Sequence, residues 1–317
     1  MEVAEDELLA AIARVLSDEA EDLVVGVGDD AAVLRPAGGD LVLTTDSLVE
    51  GTHFVRRSSA PRDLGYRAIA VNLSDVAAMG AAPRYALAAL ALSPETDAAW
   101  VIELLGGMRD ACAEHGCLVV GGNLARGTEI SIAVTVTGEV APGRAVTRRG
   151  ARPGDAIVVT GDLGSAAAGR RLRERGPAWD DQELGAIRRA ERPIARVAEG
   201  QVLAQLGATA MMDISDGLAL DLSRLCDASG VGARLVIEDL PKGPCATLEE
   251  VLGGGEDYEL VATIPPERVT PGRRELHEQL GVALTTIGRI VEGSGLAAVD
   301  AEGNEAPLPP SGWRHFR

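Results

Sequence analysis

Lysine is almost missing from this 317-residue chain, in which Lys242 is one of 30 lysine and arginine residues and the rest are arginine. P-loop nucleotide enzymes and protein kinases both place a lysine on the nucleotide phosphates. No G-x-x-x-x-G-K-[ST] motif occurs, and no lysine follows a glycine-rich loop. These two classes of phosphate-binding enzyme are therefore nearly excluded.

Aromatic residues and positive charge are also scarce, since aromatics make up 3% of the chain and the net charge is −18. Few aromatic rings argue against base stacking on nucleic acid. The acidity argues against non-specific binding to nucleic acid or to anionic membranes. An anionic substrate also needs help in such a protein, so cations must mediate the binding of any phosphorylated ligand.

The four cysteines form no C-x-x-C pair, and no histidine stands at zinc-ligand spacing from them. We interpret Cys112, Cys117, Cys226 and Cys245 as reduced thiols. No apolar run approaches the roughly 20 residues of a membrane span, and the acidic first residues lack the apolar segment of a signal peptide. These patterns predict a soluble cytoplasmic protein.

Apolar periodicity predicts a mixed order of helices and strands in both halves of the chain. We predict helices over residues 7–16, 61–79, 98–115, 164–173, 193–206 and 216–228. We predict strands over residues 23–27, 41–45, 85–92, 117–120, 130–140, 156–160, 209–214, 233–238, 258–264 and 284–290. Residues 141–155 lack periodicity and are rich in proline, glycine and arginine, which predicts two domains over 1–140 and 141–317.

Aspartate recurs beside apolar runs in four short stretches. They read GDDAAVL (28–34), TTDSLVEGTHF (44–54), NLSDVAAMGA (72–81) and MDISDGLALDL (212–222). A carboxylate beside buried elements is costly to desolvate unless something neutralises it. Mg²⁺ prefers oxygen ligands and can neutralise such groups. The stretches therefore predict a site for several metal ions and a phosphorylated substrate, built from Asp30, Asp46, Asp75, Asp213 and Asp216.

Each of these motifs also has a purely structural interpretation. Asp30 after a glycine is typical of a solvated loop, and Asp46 and Asp216 are typical of turns or helix N-caps. Asp75 is the stronger signal, because it shares a face of an apolar helix with Asn72 and needs a partner or an ion there. A lone histidine such as His53 is usually structural, although this one lies in a predicted loop.

Glycine-rich segments supply a second, weaker class of signal. Gly121-Gly122-Asn123 follows a predicted buried strand, and paired glycines let a phosphate or a base approach the backbone. Ser215 lies between two aspartates at a predicted helix N-terminus, which attracts phosphate. Another such turn, GGGEDY (253–258), carries acids before a strand. Glycine turns occur in many unrelated sites, so none of these decides the function alone.

Seven motifs taken in order resemble the thiamine-monophosphate kinase family. They are GDDAAVL, TTDSLVEGTHF, AVNLSDVAAMGA, TRRGARPGD, MDISDGL, GGGEDYEL and GWRHF, and they span nearly the whole chain. The resemblance implies the α/β (α+β) fold of the aminoimidazole-ribotide synthetase superfamily, with two mixed-sheet domains. It further implies an N-terminal domain that binds ATP and Mg²⁺ and forms a homodimer through a barrel of sheets. The C-terminal domain would complete the active site.

The resemblance implies transfer of the γ-phosphoryl group of ATP to thiamine phosphate, which gives thiamine diphosphate and ADP. It assigns Mg²⁺ to Asp30, Thr44, Thr45, Asp46, Asp75, Asn123, Asp213 and Asp216, whose five aspartates are the predicted catalytic residues. It assigns ATP contacts to Gly121, Gly122, Arg148 and Ser215, and thiamine phosphate contacts to His53, Glu256 and Trp313. An aromatic face suits the cationic thiazolium, although a tail tryptophan alone is more typical of loose packing.

One position departs from the family pattern, because Asn123 stands where the family usually has aspartate after the paired glycines. Asparagine keeps one oxygen ligand and loses the charge, which weakens a bound Mg²⁺ by about one to a few kcal/mol. A catalytically impaired nucleotide- or thiamine-phosphate-binding protein is therefore one alternative.

Another alternative is a different ATP-using member of the superfamily, such as a selenophosphate synthetase-like enzyme. That enzyme is expected to need a reactive cysteine and a lysine near the N-terminus. No cysteine precedes Cys112 and no lysine precedes Lys242, which disfavours this alternative.

For a kinase, the acceptor is already an ionised phosphate, so we predict direct in-line transfer without a phosphoenzyme.

Overall fold

The structure is a computed structural model that describes residues 23–25, 32–34, 38–176 and 178–314. The predicted helix over residues 7–16 and the predicted ligand Asp30 lie outside these residues. Among the helices of the described ranges, none combines the length and the apolar character that crossing a bilayer requires.

A mixed sheet of six strands forms from the described residues before position 141. Its strands are β1 (Leu23–Val25), β2 (Ala32–Leu34), β3 (Asp40–Val49), β4 (Ala82–Leu92), β5 (Leu118–Arg126) and β6 (Ser131–Val140). Their order is β1-β2-β3-β6-β4-β5, with β4 and β5 parallel and the other pairs antiparallel. Alternate residues of β6 are buried, as the period of two in its sequence predicts.

Two helices, α1 (Pro61–Ala78) and α2 (Ala98–Glu114), are in backbone contact with each other. Proline at the first turn of α1 favours helix initiation there. A Cβ atom on Gly65 would lie 1.9 Å from the carbonyl oxygen of Leu104, and one on Gly107 would lie 1.8 Å from that of Arg62. The helices can therefore approach this closely because both contact positions lack a side chain.

A second mixed sheet contains the strands that follow residue 155. They are β7 (Ala156–Thr160), β8 (Ala210–Asp213), β9 (Gly232–Val236), β10 (Leu260–Ile264), β11 (Leu284–Val291), β12 (Gly295–Val299) and β13 (Glu305–Pro307). Their order is β13-β12-β9-β11-β7-β10-β8, and only β9 and β12 are parallel among these described pairs. The helices are α3 (Ser165–Arg175), α4 (Asp181–Glu191), α5 (Val197–Gln205), α6 (Leu218–Ser229), α7 (Leu248–Gly253) and α8 (Pro266–Leu280).

Helix α1 connects the two sheets through a shared hydrophobic core. Leu73 and Ala77 of α1 belong to the same buried cluster as Val158 and Leu260 of the second sheet. A Cβ atom on Gly200 of α5 would lie 2.2 Å from the carbonyl oxygen of Ala77, so these helices also touch through their backbones. A separate core includes residues of α3, α4 and α6. Helix α1 thus fixes the position of one sheet relative to the other, and the division into domains 1–140 and 141–317 stays a prediction.

Two predicted strands are longer than expected, and this changes the setting of site residues. The predicted strand over 41–45 continues to Val49, because β3 pairs with β6 along its whole length. Asp46 therefore lies within a strand and not at its end. The predicted strand over 117–120 continues to Arg126 and is an exposed edge strand, not a buried one. Gly121, Gly122 and Asn123 thus lie inside β5, where they pair with β4, and not in a turn after it.

Candidate active site

Two neighbouring residues of α1 bring together groups that are far apart in the chain. Thr44 Oγ1 of β3 donates a hydrogen bond of 2.5 Å to Asp75 Oδ2. Ser74 Oγ donates one of 2.6 Å to Asp213 Oδ2, although the two residues are 139 positions apart. Residues 74 and 75 are adjacent, so one turn of α1 carries Asp75 and is bonded to both Thr44 of the first sheet and Asp213 of the second.

The oxygen atoms of this cluster are shielded from solvent, because Thr44, Ser74 and Asp213 are all buried. Within the described ranges, no three acidic, histidine or cysteine side chains converge as a ready-made metal site. Mg²⁺ does not require one, since it commonly takes one or two carboxylates and completes its shell with water and substrate phosphate. The donor set of carboxylate and hydroxyl oxygens therefore fits a hard cation.

Asp46 lies on the same face of β3 as Thr44, because side chains alternate along a strand. Thr45 lies on the opposite face, where its hydroxyl donates to Val134 O at 3.0 Å and accepts from Thr135 at 3.1 Å. The structure thus groups Asp46 with Thr44, and it does not bring the Thr45 hydroxyl to Asp75.

Buried Tyr258 lies near carboxylates from both halves of the chain. Burial raises the pKa of Tyr258, and the negative charges of Glu256, Asp46 and Asp213 raise it further. The charge of Arg67 acts in the opposite direction. Tyr258 therefore lies among three predicted site residues, although it is itself absent from the sequence-based set.

Asp216 belongs to a charged group at the start of α6. Arg224 Nη1 contacts Asp216 Oδ2 at 2.5 Å and Asp221 Oδ1 at 3.0 Å. Asp221 Oδ2 accepts the backbone N–H groups of Asp216 and Gly217 at 2.9 and 3.0 Å. Burial and the charge of Asp216 raise the pKa of Asp221 to about 7. Asp221 thus holds the backbone of the loop that carries Asp216.

Ser215 adjoins Asp216, whereas the backbone of Arg148 lies at the other end of α6, beside Ser229. Burial and the neighbouring charge of Arg148 lower the pKa of Arg224, whereas its hydrogen-bonded carboxylates raise it above the usual value. Ser229 Oγ donates to Arg148 O at 2.8 Å, and Ser215 O accepts from Glu256 N at 2.7 Å. Ser215 is therefore next to Asp216, and the link of Arg148 to this group is the effect of its charge on Arg224.

The remaining nucleotide contacts and Asn123 lie elsewhere on the first sheet. The strand register places Asp46, Val134, Ala88 and Gly122 in one row, so Gly122 is three strand spacings from Asp46. That separation is about 14 Å. Within the ranges that the structure describes, Asn123 makes no side-chain hydrogen bond, and one copy of the chain does not join it to the carboxylates on α1.

Glu256 and His53 are brought together by arginine. Arg67 Nη2 and Arg170 Nη1 form ion pairs with Glu256, one to each carboxylate oxygen. Arg67 Nη1 also donates to His53 O at 3.3 Å. His53 Nδ1 accepts from Val49 N at 3.0 Å, which fixes the orientation of the ring. Trp313 N donates to Asp216 O at 2.9 Å, and its side chain is 54% exposed.

The turn that carries Glu256 is in an unusual backbone conformation. Glu256 and Tyr258 have φ angles of +63° and +53°, which are strained for residues other than glycine. Asp257 fastens the turn to α3, since its carboxylate accepts the backbone N–H groups of Gly164 at 2.8 Å and Ala166 at 3.3 Å. Burial raises the pKa of Asp257 to about 7. Strain of this kind is typical of functional positions that the surrounding structure must hold.

Comparison with known proteins settles the family. Residues 28–140 match the N-terminal domain of AIR synthase related proteins, and residues 152–301 match their C-terminal domain. The thiamine-monophosphate kinase of Escherichia coli K12 is 39% identical over 308 residues, which cover 93% of each chain. The chain belongs to the thiamine-monophosphate kinase family. The member from Aquifex aeolicus is 38% identical over 307 residues, which cover 92% of each chain.

Solved structures of this family share the fold over the whole chain. A structure described as AaThiL complexed with AMPPCP and TMP has a TM-score of 0.86 and 37% identity, and the match covers 99% of this chain and 98% of that one. The thiamine-monophosphate kinase of Stenotrophomonas maltophilia K279a has a TM-score of 0.79 and 34% identity, with 96% and 98% covered. The predicted fold of two mixed-sheet α/β domains is therefore confirmed.

Five residues near the family motifs were not predicted from the sequence as part of the site. They are Arg67, Ser74, Asp221, Arg224 and Tyr258. Arg67 and Ser74 lie two helical turns apart on one face of α1, a relation that no local sequence pattern marks as functional. The others depend on contacts that only the folded chain reveals.

Proposed function

We propose that this chain transfers the γ-phosphoryl group of ATP to thiamine phosphate, which yields thiamine diphosphate and ADP. The observation that carries this proposal is the junction on α1, where Asp75 accepts a hydrogen bond from Thr44 of the first sheet and Ser74 donates one to Asp213 of the second. The full-length likeness to a protein solved with AMPPCP, an ATP analogue, and with TMP supports it. Both ligands carry phosphate, which an acidic chain can bind only with the help of cations.

We assign Mg²⁺ to the oxygen donors of Asp75, Asp213, Asp46 and Thr44, with Asp216 nearby at the start of α6. When bound, Mg²⁺ neutralises phosphate charge and orients the transferred group. The hydroxyls of Thr44 and Ser74 orient the two carboxylates that they contact. Asp30, Thr45 and Asn123 complete the proposed metal set on the strength of the family motifs.

We assign thiamine phosphate to the side of the site that contains His53, Glu256 and Trp313. The exposed indole offers an aromatic face to the thiazolium cation. We assign ATP to Arg148 and Ser215, with Gly121 and Gly122 of β5, on the strength of the family motifs.

The transfer is direct and in-line, because the acceptor is an ionised phosphate that needs no strong base. Chiral ATP labelled at the γ-phosphorus tests this step. Inversion of configuration is expected. Net retention, or a trapped aspartyl-phosphate on the enzyme, would contradict it.

We propose that two copies of the chain associate through β4 and β5. Five large apolar side chains of these strands are between 48% and 67% exposed, namely Tyr85, Leu87, Leu118, Val120 and Leu124. Such a patch on an edge of a sheet marks an interaction surface. A homodimer would cover both the patch and the unpaired edge of β5.

The four cysteines are free thiols, which suits the reducing cytoplasm as the compartment.

The deciding experiment is an ADP-release assay with ATP, Mg²⁺ and thiamine phosphate. Unphosphorylated thiamine serves as the control acceptor. We expect turnover with thiamine phosphate as the acceptor and none with unphosphorylated thiamine. Asp46→Asn and Asp213→Asn should abolish this turnover while the fold survives. Binding of both ligands without turnover would instead favour the impaired binding protein that Asn123 suggests.

A further inference from the structure

We propose that Arg67 is a positioning residue that fixes His53 and Glu256 relative to each other and to the carboxylates on α1. The inference rests on the proposed function, in which both residues contact thiamine phosphate. No family motif singled out Arg67, which lies in α1 before the NLSD segment.

Arg67 reaches from the first sheet's helix to the glycine-rich turn of the second. Its guanidinium forms an ion pair with Glu256 and donates to His53 O at 3.3 Å, and its side chain is only 12% exposed. Arg170 holds the other oxygen of Glu256 and donates to Gly254 O at 2.6 Å. Arg170 belongs to the same half of the chain as Glu256, so it cannot fix that turn to His53. Arg67 can, because one rigid fork contacts both loops.

The spacing along α1 links this contact to the proposed metal site. Arg67 and Ser74 are seven residues apart and lie on one face, separated by about 10.5 Å along the helix axis. Ser74 holds Asp213, and Arg67 holds Glu256. A single helix therefore sets the distance between the acceptor side and the carboxylates. Transfer rates are sensitive to this distance, since a misplacement of about 1 Å can reduce them roughly 100-fold.

Two further observations indicate that Arg67 is held for function and not for stability. Its Nε atom is buried without a hydrogen-bond partner, which is unfavourable for a folded protein. The turn that it grips contains two residues with positive φ, Glu256 and Tyr258. Such a turn relaxes unless its neighbours hold it. Without Arg67, Glu256 would keep its ion pair with Arg170, but its position relative to His53 would no longer be fixed.

Steady-state kinetics of Arg67→Met, Arg67→Lys and Arg175→Met test the proposal. Arg175 is a matched control, because it is an exposed arginine at the end of α3 whose ion pair with Glu183 lies outside the proposed site. In Arg67→Met the KM for thiamine phosphate should rise by about tenfold or more, the loss expected for a charged hydrogen bond. The KM for ATP should stay within about twofold. Arg67→Lys should recover part of the loss, since lysine keeps the charge without the fork.

An unchanged KM for thiamine phosphate in Arg67→Met, or an equal rise in both KM values, would overturn the proposal. Hydrogen exchange of residues 51–54 and 254–258 gives a test that needs no turnover. Both segments should exchange faster in Arg67→Met, only the second in Arg170→Met, and neither in Arg175→Met. If both segments keep wild-type exchange in Arg67→Met, the positioning role of Arg67 is wrong. If the wild-type chain fails to phosphorylate thiamine phosphate, the proposed function is wrong. The exchange result would still test whether Arg67 fixes the two segments.

Discussion

The hydrogen bond between Ser74 and Asp213 makes a sharp prediction about metal binding. Ser74→Ala removes a donor that lies 2.6 Å from a buried carboxylate and leaves the rest of α1 in place. A hydrogen bond to a charged group contributes about 1.5–3 kcal/mol. Loss of a group that orients a metal ligand typically reduces metal affinity by about 10- to 100-fold. We expect the Mg²⁺ concentration for half-maximal activity to rise by a factor in that range.

The assay is ADP release at saturating ATP and thiamine phosphate, with Mg²⁺ titrated over several decades. Binding of Mn²⁺ by calorimetry gives a second readout that does not depend on turnover. Ser58→Ala is the matched control, because it removes the same hydroxyl from an exposed serine that donates to Val55 O. Circular dichroism and thermal unfolding establish that each variant is folded.

The reasoning would be refuted if Ser74→Ala bound Mn²⁺ and used Mg²⁺ as the wild-type chain does. It would also fail if Ser58→Ala shifted the Mg²⁺ requirement equally, since the effect would then be general. A loss of maximal rate that excess Mg²⁺ does not restore would place Asp213 outside the metal set, because a metal ligand disturbed through its partner should recover at saturation.

Three other substitutions test separate features. Asn123→Asp should lower the half-saturating Mg²⁺ concentration by about fivefold or more, which a Mg²⁺ titration of activity measures. Leu124→Arg places a charge on a side chain that is 67% exposed, and should turn a dimer into monomers in sedimentation experiments. Arg196→Met should lower the free energy of unfolding by about 3–5 kcal/mol, because Glu259 is 1% exposed and receives two hydrogen bonds of 2.6 Å from Arg196. Burial already raises the pKa of Glu259, and the loss of Arg196 should raise that pKa further. The folded variant therefore gains stability when Glu259 is protonated, and this gain disappears as pH rises. The loss in unfolding free energy, measured by urea denaturation, should shrink as pH falls from 8 to roughly 5, and exposed Arg175→Met should show no such loss.

Elements with a strong local pattern were predicted well from the sequence. Helix α1 was expected over residues 61–79 and spans Pro61–Ala78, because its apolar residues surround the whole helix and proline marks its start. Helix α8 was not predicted, since it buries little and contains Pro271. Helices α4 and α7 were also not predicted, although each begins with a capping box that the sequence displays, Asp180 with Glu183 in the first and Thr247 with Glu250 in the second.

The site was predictable as a set of residues and not as an arrangement. The motifs identified Asp75 and Asp213, but the bond that ties Asp213 to α1 depends on Ser74, which no local pattern distinguishes from an ordinary helix serine. The grouping of Asp46 with Thr44, and the separation of Thr45, follow from the length of β3, which the sequence underestimated. The register of a strand and the face that it buries are fixed by its neighbours, so tertiary structure had to supply them.

The scarcity of lysine gains a structural meaning from the arginines near the site. Arg67 and Arg170 are paired with Glu256, and Arg224 is paired with Asp216 and Asp221. A guanidinium that already neutralises a protein carboxylate has less charge to offer a phosphate. These arginines thus hold the acids of the site in place, and under the proposed function neutralisation of the substrates' phosphates is left mainly to cations from solution. Activity should therefore depend steeply on divalent cations even where arginine is abundant.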